Sequence, residues 1–236
     1  MRNYIEPITD TLSVIAIWDT EWKTWNNSYI FQIEKELVVI DSCKNIHLHE
    51  FEGAINTLRK EASNVTYFLA THGHEDHVQG SILFPNAKKL IHPEEIESME
   101  YDSPSSFTPG FDDAFIQETV DVIHVETHTK GSVAFYHSAE KALFTGDFLC
   151  FFGDPLSQDG FIGEGQDLRI AWLDYMRSGS VKGDYLQNLL NGLRQLVTYD
   201  VHYLCTGHGC VLVGNISLFL QELLDVGEKM AEGGLE

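Results

Sequence analysis

An apolar stretch at residues 65–70, VTYFLA, runs without a break into Thr71-His72-Gly73-His74-Glu75-Asp76-His77. No other part of the chain limits its fold as much. A strand of this composition belongs in a core, so its end delivers three imidazoles and two carboxylates to the border of that core. Burying such groups together costs on the order of several kcal/mol unless their lone pairs are compensated. A divalent cation is the usual compensation, because neutral imidazole nitrogen and carboxylate oxygen are among its preferred ligands. His72 and His74 are i and i+2, which puts both side chains on one side of an extended segment. Asp76 and His77 follow where the chain turns and can face a second position nearby, so one short segment can feed two adjacent ions. For His-x-His alone a solvated polar loop would be the better reading; for the whole run at the end of a strand it is not.

The rest of the chain alternates in the way such a segment needs. Residues 29–33 and 37–40 flank Glu34-Lys35-Glu36 and predict a hairpin. An amphipathic helix is expected over 45–61, a strand over 88–91, a helix opening at Pro93 and a loop over 101–111. Strands follow at 120–125, 133–137 and 142–145. Helices are predicted at 168–176, 185–196 and 217–230, with a strand at 202–205. Two β-rich then α-containing halves, with no repeat and no linker, predict one layered α/β sandwich over residues 1–236. Glycine and polar residues mark an irregular insertion at about 149–167.

The formal net charge of −21 repels phosphate backbones. The only adjacent basic pairs are Arg59-Lys60 and Lys88-Lys89, so nucleic acid is not an expected partner and a small-molecule substrate is. No apolar run is long enough to span a bilayer, so no membrane partner is expected. The opening MRNYIEPITD has no apolar signal-peptide core. Four cysteines without a CxxC pair fit a reducing compartment, and a cytoplasmic location is expected. Oligomeric state is left open, a homodimer included.

His72-x-His74-x-Asp76-His77 resembles the signature of the metallo-β-lactamase fold hydrolases. Three further motifs follow in that family's order: ETHTKGS at 126–132, LFTGD at 143–147 and TGHG at 206–209. The resemblance runs from the strands near Tyr29 to Gly209 and implies a four-layer αββα sandwich. It also implies that His72, His74 and His128 bind one ion, that Asp76, His77 and His208 bind another, and that Asp147 bridges them. The expected cofactors are two divalent ions, zinc first, with iron or manganese as alternatives. Water held between them would have its pKa lowered to around 7 and would attack a carbonyl or phosphorus, with Asp76 as the catalytic residue orienting it. Glu75 is expected to face away. Asp41, in VVIDSC, is either a support for the ligands, as the family often has there, or a simple strand cap.

The chain departs from the family pattern at Gln79, in place of a glycine, and at Glu126-Thr127, in place of Pro-Gly; neither change removes a ligand. Aspartate at 147 is unlike true β-lactamases and resembles the thioesterase, lactonase, phosphodiesterase and oxygen-handling branches.

Substrate contacts are less constrained. Trp18, Trp22 and Trp25 are either a flap over the site or core, and the insertion after Asp147 offers Phe151, Phe152, Phe161 and Ile162 as an apolar lining. Arg169 and Arg177 are the nearest groups for gripping an anion. Trp22, Phe161 and Arg169 are therefore the candidate substrate-binding residues. The expected activity is hydrolysis of a small ester, thioester or lactone. The alternatives are a mononuclear iron persulfide dioxygenase-like oxidoreductase built on His72, His128 and Asp147, a phosphodiesterase of the same fold, and a non-catalytic metal-binding protein. A histidine at 208 argues for a second ion and against the mononuclear reading. No basic C-terminal helical domain is evident to hold glutathione. The six remaining histidines are read as surface or core-edge groups and the four cysteines as packing residues.

Overall fold

The computed structural model describes residues 3–99, 106–153 and 157–233. The layering follows from strands that are apolar on both faces. In β2 (Leu12–Asp19), Leu12, Val14 and Ala16 enter one apolar cluster while Ile15 and Ile17 enter another. In β4 (Glu36–Ile40), Val38 and Ile40 divide in the same way from Leu37 and Val39. Side chains alternate across a strand, so a strand buried on both sides must be covered on both sides.

These strands belong to a seven-stranded sheet with β1 (Asn3–Pro7), β3 (Thr24–Ile33), β5 (Tyr67–Leu69), β6 (Lys88–Ile91) and β7 (Thr108–Pro109), arranged in chain order. It is antiparallel from β1 to β4 and parallel from β4 to β7. The second sheet contains β8 (Asp121–His124), β9 (Val133–His137), β10 (Ala142–Gly146), β11 (Ile162–Gly163), β12 (Tyr203–Thr206) and β13 (Val211–Val213). Its order is β11-β13-β12-β10-β9-β8, with β10 and β12 parallel.

Between the sheets, Val14, Phe31, Val38 and Leu69 meet Val133, Phe135, Phe144 and Cys205. The outer face of the first sheet is covered by α1 (Leu48–Thr57), through Phe51, Ala54 and Ile55. Three short helices, α2 (Glu75–Val78), α3 (Pro93–Ile96) and α4 (Ala114–Thr119), lie in the connections. The outer face of the second sheet is covered by α5 (Gln166–Arg177), α6 (Gly183–Leu196) and α7 (Ile216–Ala231). Leu186, Leu189, Leu190, Leu193 and Leu196 recur at helical spacing along α6 and turn one apolar stripe to that sheet. The result is the expected single αββα sandwich.

Differences from the sequence reading lie in local detail. The helix expected over 45–61 is a 3₁₀ turn followed by α1, which stops at Thr57 ahead of Arg59 at φ +56°. β1, β2, α4 and β13 were not expected, and the chain after His74, where a turn is expected, forms one helical turn, α2. Most of the loop expected over 101–111 falls outside the described residues, as do residues 154–156 of the insertion. Within the rest of that insertion the chain forms the short β11 and a bridge between Ser157 and Gly160. Among the described residues no helix is long and apolar enough to cross a membrane.

Candidate metal centre

The ends of four strands meet at one edge of the sandwich. Asp41 follows β4, Thr71 to His77 follow β5, Asp147 follows β10 and His208 follows β12, while His128 sits in the β8–β9 connection. The two sheets are stitched together here: Asn27 N donates to Gly207 O at 2.9 Å, and Asn26 bridges to His208. Two glycines are required by close approach. A Cβ at Gly207 would lie 2.5 Å from Asp147 Oδ1, and one at Gly146, where φ is +49°, would lie 2.4 Å from Thr71 Oγ1.

Seven side chains converge in two overlapping groups. His74 Nδ1 is 3.1 Å from His72 Nε2 and 2.9 Å from His128 Nε2. Asp76 Oδ2 is 3.5 Å from His77 Nε2 and 3.4 Å from His208 Nε2. Asp147 belongs to both groups: its Oδ2 is 3.3 Å from His128 Nε2, and its Oδ1 is 3.3 Å from His208 Nε2 and 3.4 Å from His77 Nε2. The donor atoms of each trio lie within 4.8 Å of one another. His74 and His128 are exposed while the second trio is wholly buried, so the group opens to solvent on one side only.

The surrounding bonds fix which nitrogen of each ring faces inward. His77 Nδ1 lies 2.9 Å from Asp41 Oδ2, a pure acceptor, and His208 Nδ1 lies 2.9 Å from the Trp25 carbonyl. The Thr71 hydroxyl donates to Asp41 Oδ2 at 2.8 Å and so can accept from His72 Nδ1 at 3.1 Å. When neutral, each of the three rings therefore carries its proton on the outer nitrogen and turns a bare Nε2 inward, the arrangement that orients histidine toward a metal. His77 Nε2 and Asp147 Oδ1 are buried and form no hydrogen bond. Buried polar atoms rarely go unpaired, and a donor set of seven converging imidazole and carboxylate groups fits divalent cations.

Electrostatics divide the rings: His77 and His208, which face carboxylates, are drawn toward the protonated form, while His72 and His128 are drawn toward the neutral one. Burial, with His77 beside it, holds His72 well below the usual imidazole range and therefore neutral. Burial also depresses His128, and Asp147 only partly offsets it. For His77, burial is outweighed by the carboxylates of Asp76, Asp41 and Asp147, which lift it well above that range. Asp147, which burial alone would raise, is held well below the carboxylate range by His208 and His77.

All seven residues expected to bind metal are thus neighbours in space. Glu75 turns away to Lys44, 3.6 Å from its Nζ. The three candidate substrate contacts lie outside the described lining of the cavity next to Asp147. Phe161 is buried in the inter-sheet core, stacked on Tyr4 and edge-on to Trp25. Arg169 is buried, and its guanidinium donates to the carbonyls of Glu164, Val213, Gly214 and Asn215. Trp22 lies under the Lys44 ammonium, 3.4 Å from its ring centre, and does not border the cavity next to Asp147. Trp25 is core as well, and His47, expected at the surface or core edge, is buried.

Sequence reasoning passed over Glu95. Its carboxylate, 1% exposed, accepts from Gly73 N through Oε2 and from Gly131 N and Thr129 Oγ1 through Oε1, each at 2.7 Å. It clasps the His72–His74 segment to the loop that carries His128. A glutamate in HPEEIESME carries no such signal, because helix starts are commonly acidic.

A cavity of about 430 Å³ opens beside His128 and Asp147. Leu168, Trp172 and Tyr175 line it from α5, with Phe152 and Tyr185 opposite the helix in sequence. Burial, with Cys150, Tyr175 and Asp147 adding to it, raises the Tyr185 phenol, so it stays protonated.

Residues 26–208 match the family described as the metallo-beta-lactamase superfamily. A hydroxyacylglutathione hydrolase from Pelagibacter ubique (strain HTCC1062) is 28% identical over 128 residues, 49% of this chain and 51% of that one. Among solved structures, a flavoprotein from Thermotoga maritima and the rubredoxin oxygen:oxidoreductase from Desulfovibrio gigas each share 17% identity at a TM-score of 0.75. Both cover 96% of this chain, and the matches span 61% and 62% of those chains. The chain therefore spans about half the length of its curated relative, and at such identities the solved structures speak for the fold.

Proposed function

The chain belongs to the metallo-β-lactamase superfamily, and from that premise we propose that it is a metal-dependent hydrolase of a small ester, thioester or lactone. One observation carries the reading: the two oxygens of Asp147 face different histidine groups, Oδ2 toward His128 and Oδ1 toward His77 and His208. His72, His74 and His128 would hold one divalent ion and Asp76, His77 and His208 a second, with Asp147 between them. Ions bound there would act as Lewis acids and make water acidic enough to serve as a nucleophile near neutral pH.

The chain's own residues do the rest. Asp41, Thr71 and the Trp25 carbonyl keep the proton of each buried imidazole on its outer nitrogen. Asn26 Nδ2 donates to Asp76 Oδ2 at 3.4 Å, which steadies the carboxylate placed to orient the attacking water. The buried second trio excludes bulk water on one side, while exposed His74 and His128 leave the other side open to substrate. Hydrolysis breaks the acyl–oxygen or acyl–sulfur bond, and the proton lost by water ends on the leaving group.

A second reading is an iron-dependent oxidoreductase. It draws on the likeness to the Thermotoga and Desulfovibrio chains, which extends to fold. Metal content and turnover separate the two. The hydrolase reading expects two divalent ions per chain and cleavage of at least one class among esters, thioesters and lactones. Oxygen consumption by the iron-loaded protein, with no hydrolysis by the zinc-loaded one, would sink it.

A further inference from the structure

The cavity beside Asp147 has no lysine or arginine among its described lining residues. Among the described residues that line it, the charged or titratable groups next to the metal cluster are His128 and Asp147, and the body is Phe152, Leu168, Trp172 and Tyr175. Three basic groups elsewhere in the fold are held by other partners. Lys44 pairs with Asp19 at 2.9 Å, Arg169 is bound to carbonyls, and Arg177 pairs with Asp174 at 3.0 Å. A net charge of −21 adds a field that repels anions.

The apolar wall is built rather than incidental. Leu168, Trp172 and Tyr175 fall at i, i+4 and i+7 of α5 and so form one row. Trp172 Nε1 donates to Cys150 O at 3.0 Å, which fixes the indole, and Tyr175 meets it edge-on at 5.7 Å. Phe152 lies over the His208 ring, 4.9 Å between centroids, yet is 67% exposed. An aromatic ring left that exposed between an apolar cavity and a metal cluster gains burial when an apolar group arrives.

We propose that this cavity binds an uncharged aromatic portion of the substrate, so that the enzyme accepts neutral aromatic esters and thioesters and rejects anionic ones. This rests on the hydrolase reading for its chemistry but not for its binding. Rejection follows because an anionic substituent on the ring, packed against Trp172 and Tyr175 rather than at the metal positions, would lose water and find no lysine or arginine among the described lining residues. The ring of the substrate would pack against Trp172, Tyr175 and Phe152, which brings its acyl carbon toward Asp147 and His128.

The test separates binding from turnover. Binding of 2-acetamidonaphthalene, neutral and without a labile ester, is measured by calorimetry on the metal-loaded protein and compared with the same ring bearing a 6-sulfonate. The neutral probe should bind at least about tenfold more tightly, and Phe152→Ala and Tyr175→Ala should each weaken it about tenfold, the scale of one lost apolar contact. Ile170→Ala, on the same helix but outside the cavity wall, should leave it unchanged. Equal binding of the sulfonate, or no effect of Phe152→Ala and Tyr175→Ala, would overturn the proposal. Turnover of 2-naphthyl acetate is then compared with that of its 6-sulfonate and of an acylglutathione thioester. Preference for the neutral ester supports both readings. Equal cleavage of the anionic substrates keeps the hydrolase and overturns the cavity's selectivity. Tight neutral binding with no cleavage of any substrate keeps the cavity and removes the hydrolase.

Discussion

Asp41 Oδ2 lies 2.9 Å from His77 Nδ1, and the same carboxylate accepts the backbone N–H and the hydroxyl of Thr71, each at 2.8 Å. Through that hydroxyl it also reaches His72. Of the two readings the sequence offered for Asp41, the bonds to His77 and Thr71 favour support of the ligands over a simple strand cap. Its φ of +56° is one that aspartate tolerates better than most residues.

Replacing Asp41 therefore acts on metal and fold together. Asp41→Ala should lower zinc affinity by about 10–100-fold, the usual cost of losing a group that orients a ligand. It should also destabilise the metal-free protein by at least about 2 kcal/mol, because three buried donors lose their acceptor. Competition against a chelator and urea unfolding of chelator-treated protein measure the two effects. Wild-type zinc affinity in Asp41→Ala would show that His77 needs no such support.

Glu95 gives a second expectation. Its three bonds at 2.7 Å hold the Gly73 and Thr129–Gly131 segments together, and bonds to a charged group are each worth about 1.5–3 kcal/mol. Glu95→Ala should weaken metal binding although the side chain touches no metal ligand. Gly131→Ala should act in the same direction, since its Cβ would sit 2.7 Å from Glu95 Oε1. Titration of the first equivalent of zinc checks both variants, and unchanged affinity in each would leave Glu95 a purely structural residue.

The sequence made the cluster legible because each of its residues carries a mark at short range. His72 to His77 are crowded within one segment, and Asp147 and His208 stand in short motifs at strand ends. The groups that orient them were hidden for a physical reason: Trp25 acts through its carbonyl, and Asn26 and Glu95 through contacts made only when the sheets are packed. The same limit bears on the candidate substrate contacts. Phe161 and Arg169 stand in an insertion that borders the site in sequence, but the inter-sheet core claims Phe161 and the loop at 213–215 claims Arg169. In β2 the tryptophan spacing masked the period-two alternation of Leu12, Val14 and Ala16 against Ile15 and Ile17.

Asp19 and Lys44 set a pH dependence. Burial works against the Asp19 carboxylate, but Lys44 at 2.9 Å and the backbone N–H groups of Trp22 and Glu21 outweigh it and hold it below the usual carboxylate range. A depressed folded pKa contributes stability that is present above the unfolded value of about 3.9 and is lost as pH falls through the folded value. Asp19→Asn should be less stable at pH 7, because Lys44 then stays buried without its carboxylate. Its stability should also fall less steeply than that of wild type below about pH 4. Urea unfolding at a series of pH values gives both slopes, and parallel curves would remove Asp19 from the acid transition.

Among the described residues, Asp147 is the side chain that turns one oxygen to each donor group, so its loss and that of His208 should differ in kind. His208 approaches Asp76 at 3.4 Å and Asp147 at 3.3 Å, and its other nitrogen is taken by Trp25 O. If two ions bind as proposed, His208→Ala should release one ion per chain and leave the one held by His72, His74 and His128. Asp147→Ala removes an oxygen from each position and one negative charge from between two dications, so both affinities should fall. Elemental analysis after dialysis against a weak chelator counts the ions, and cleavage of a neutral aromatic ester follows activity in the same samples. Two ions retained in His208→Ala would mean that Asp76, His77 and His208 do not form a metal position. One ion lost in both variants would mean that Asp147 serves one position only, and the shared carboxylate on which the hydrolase reading rests would be gone.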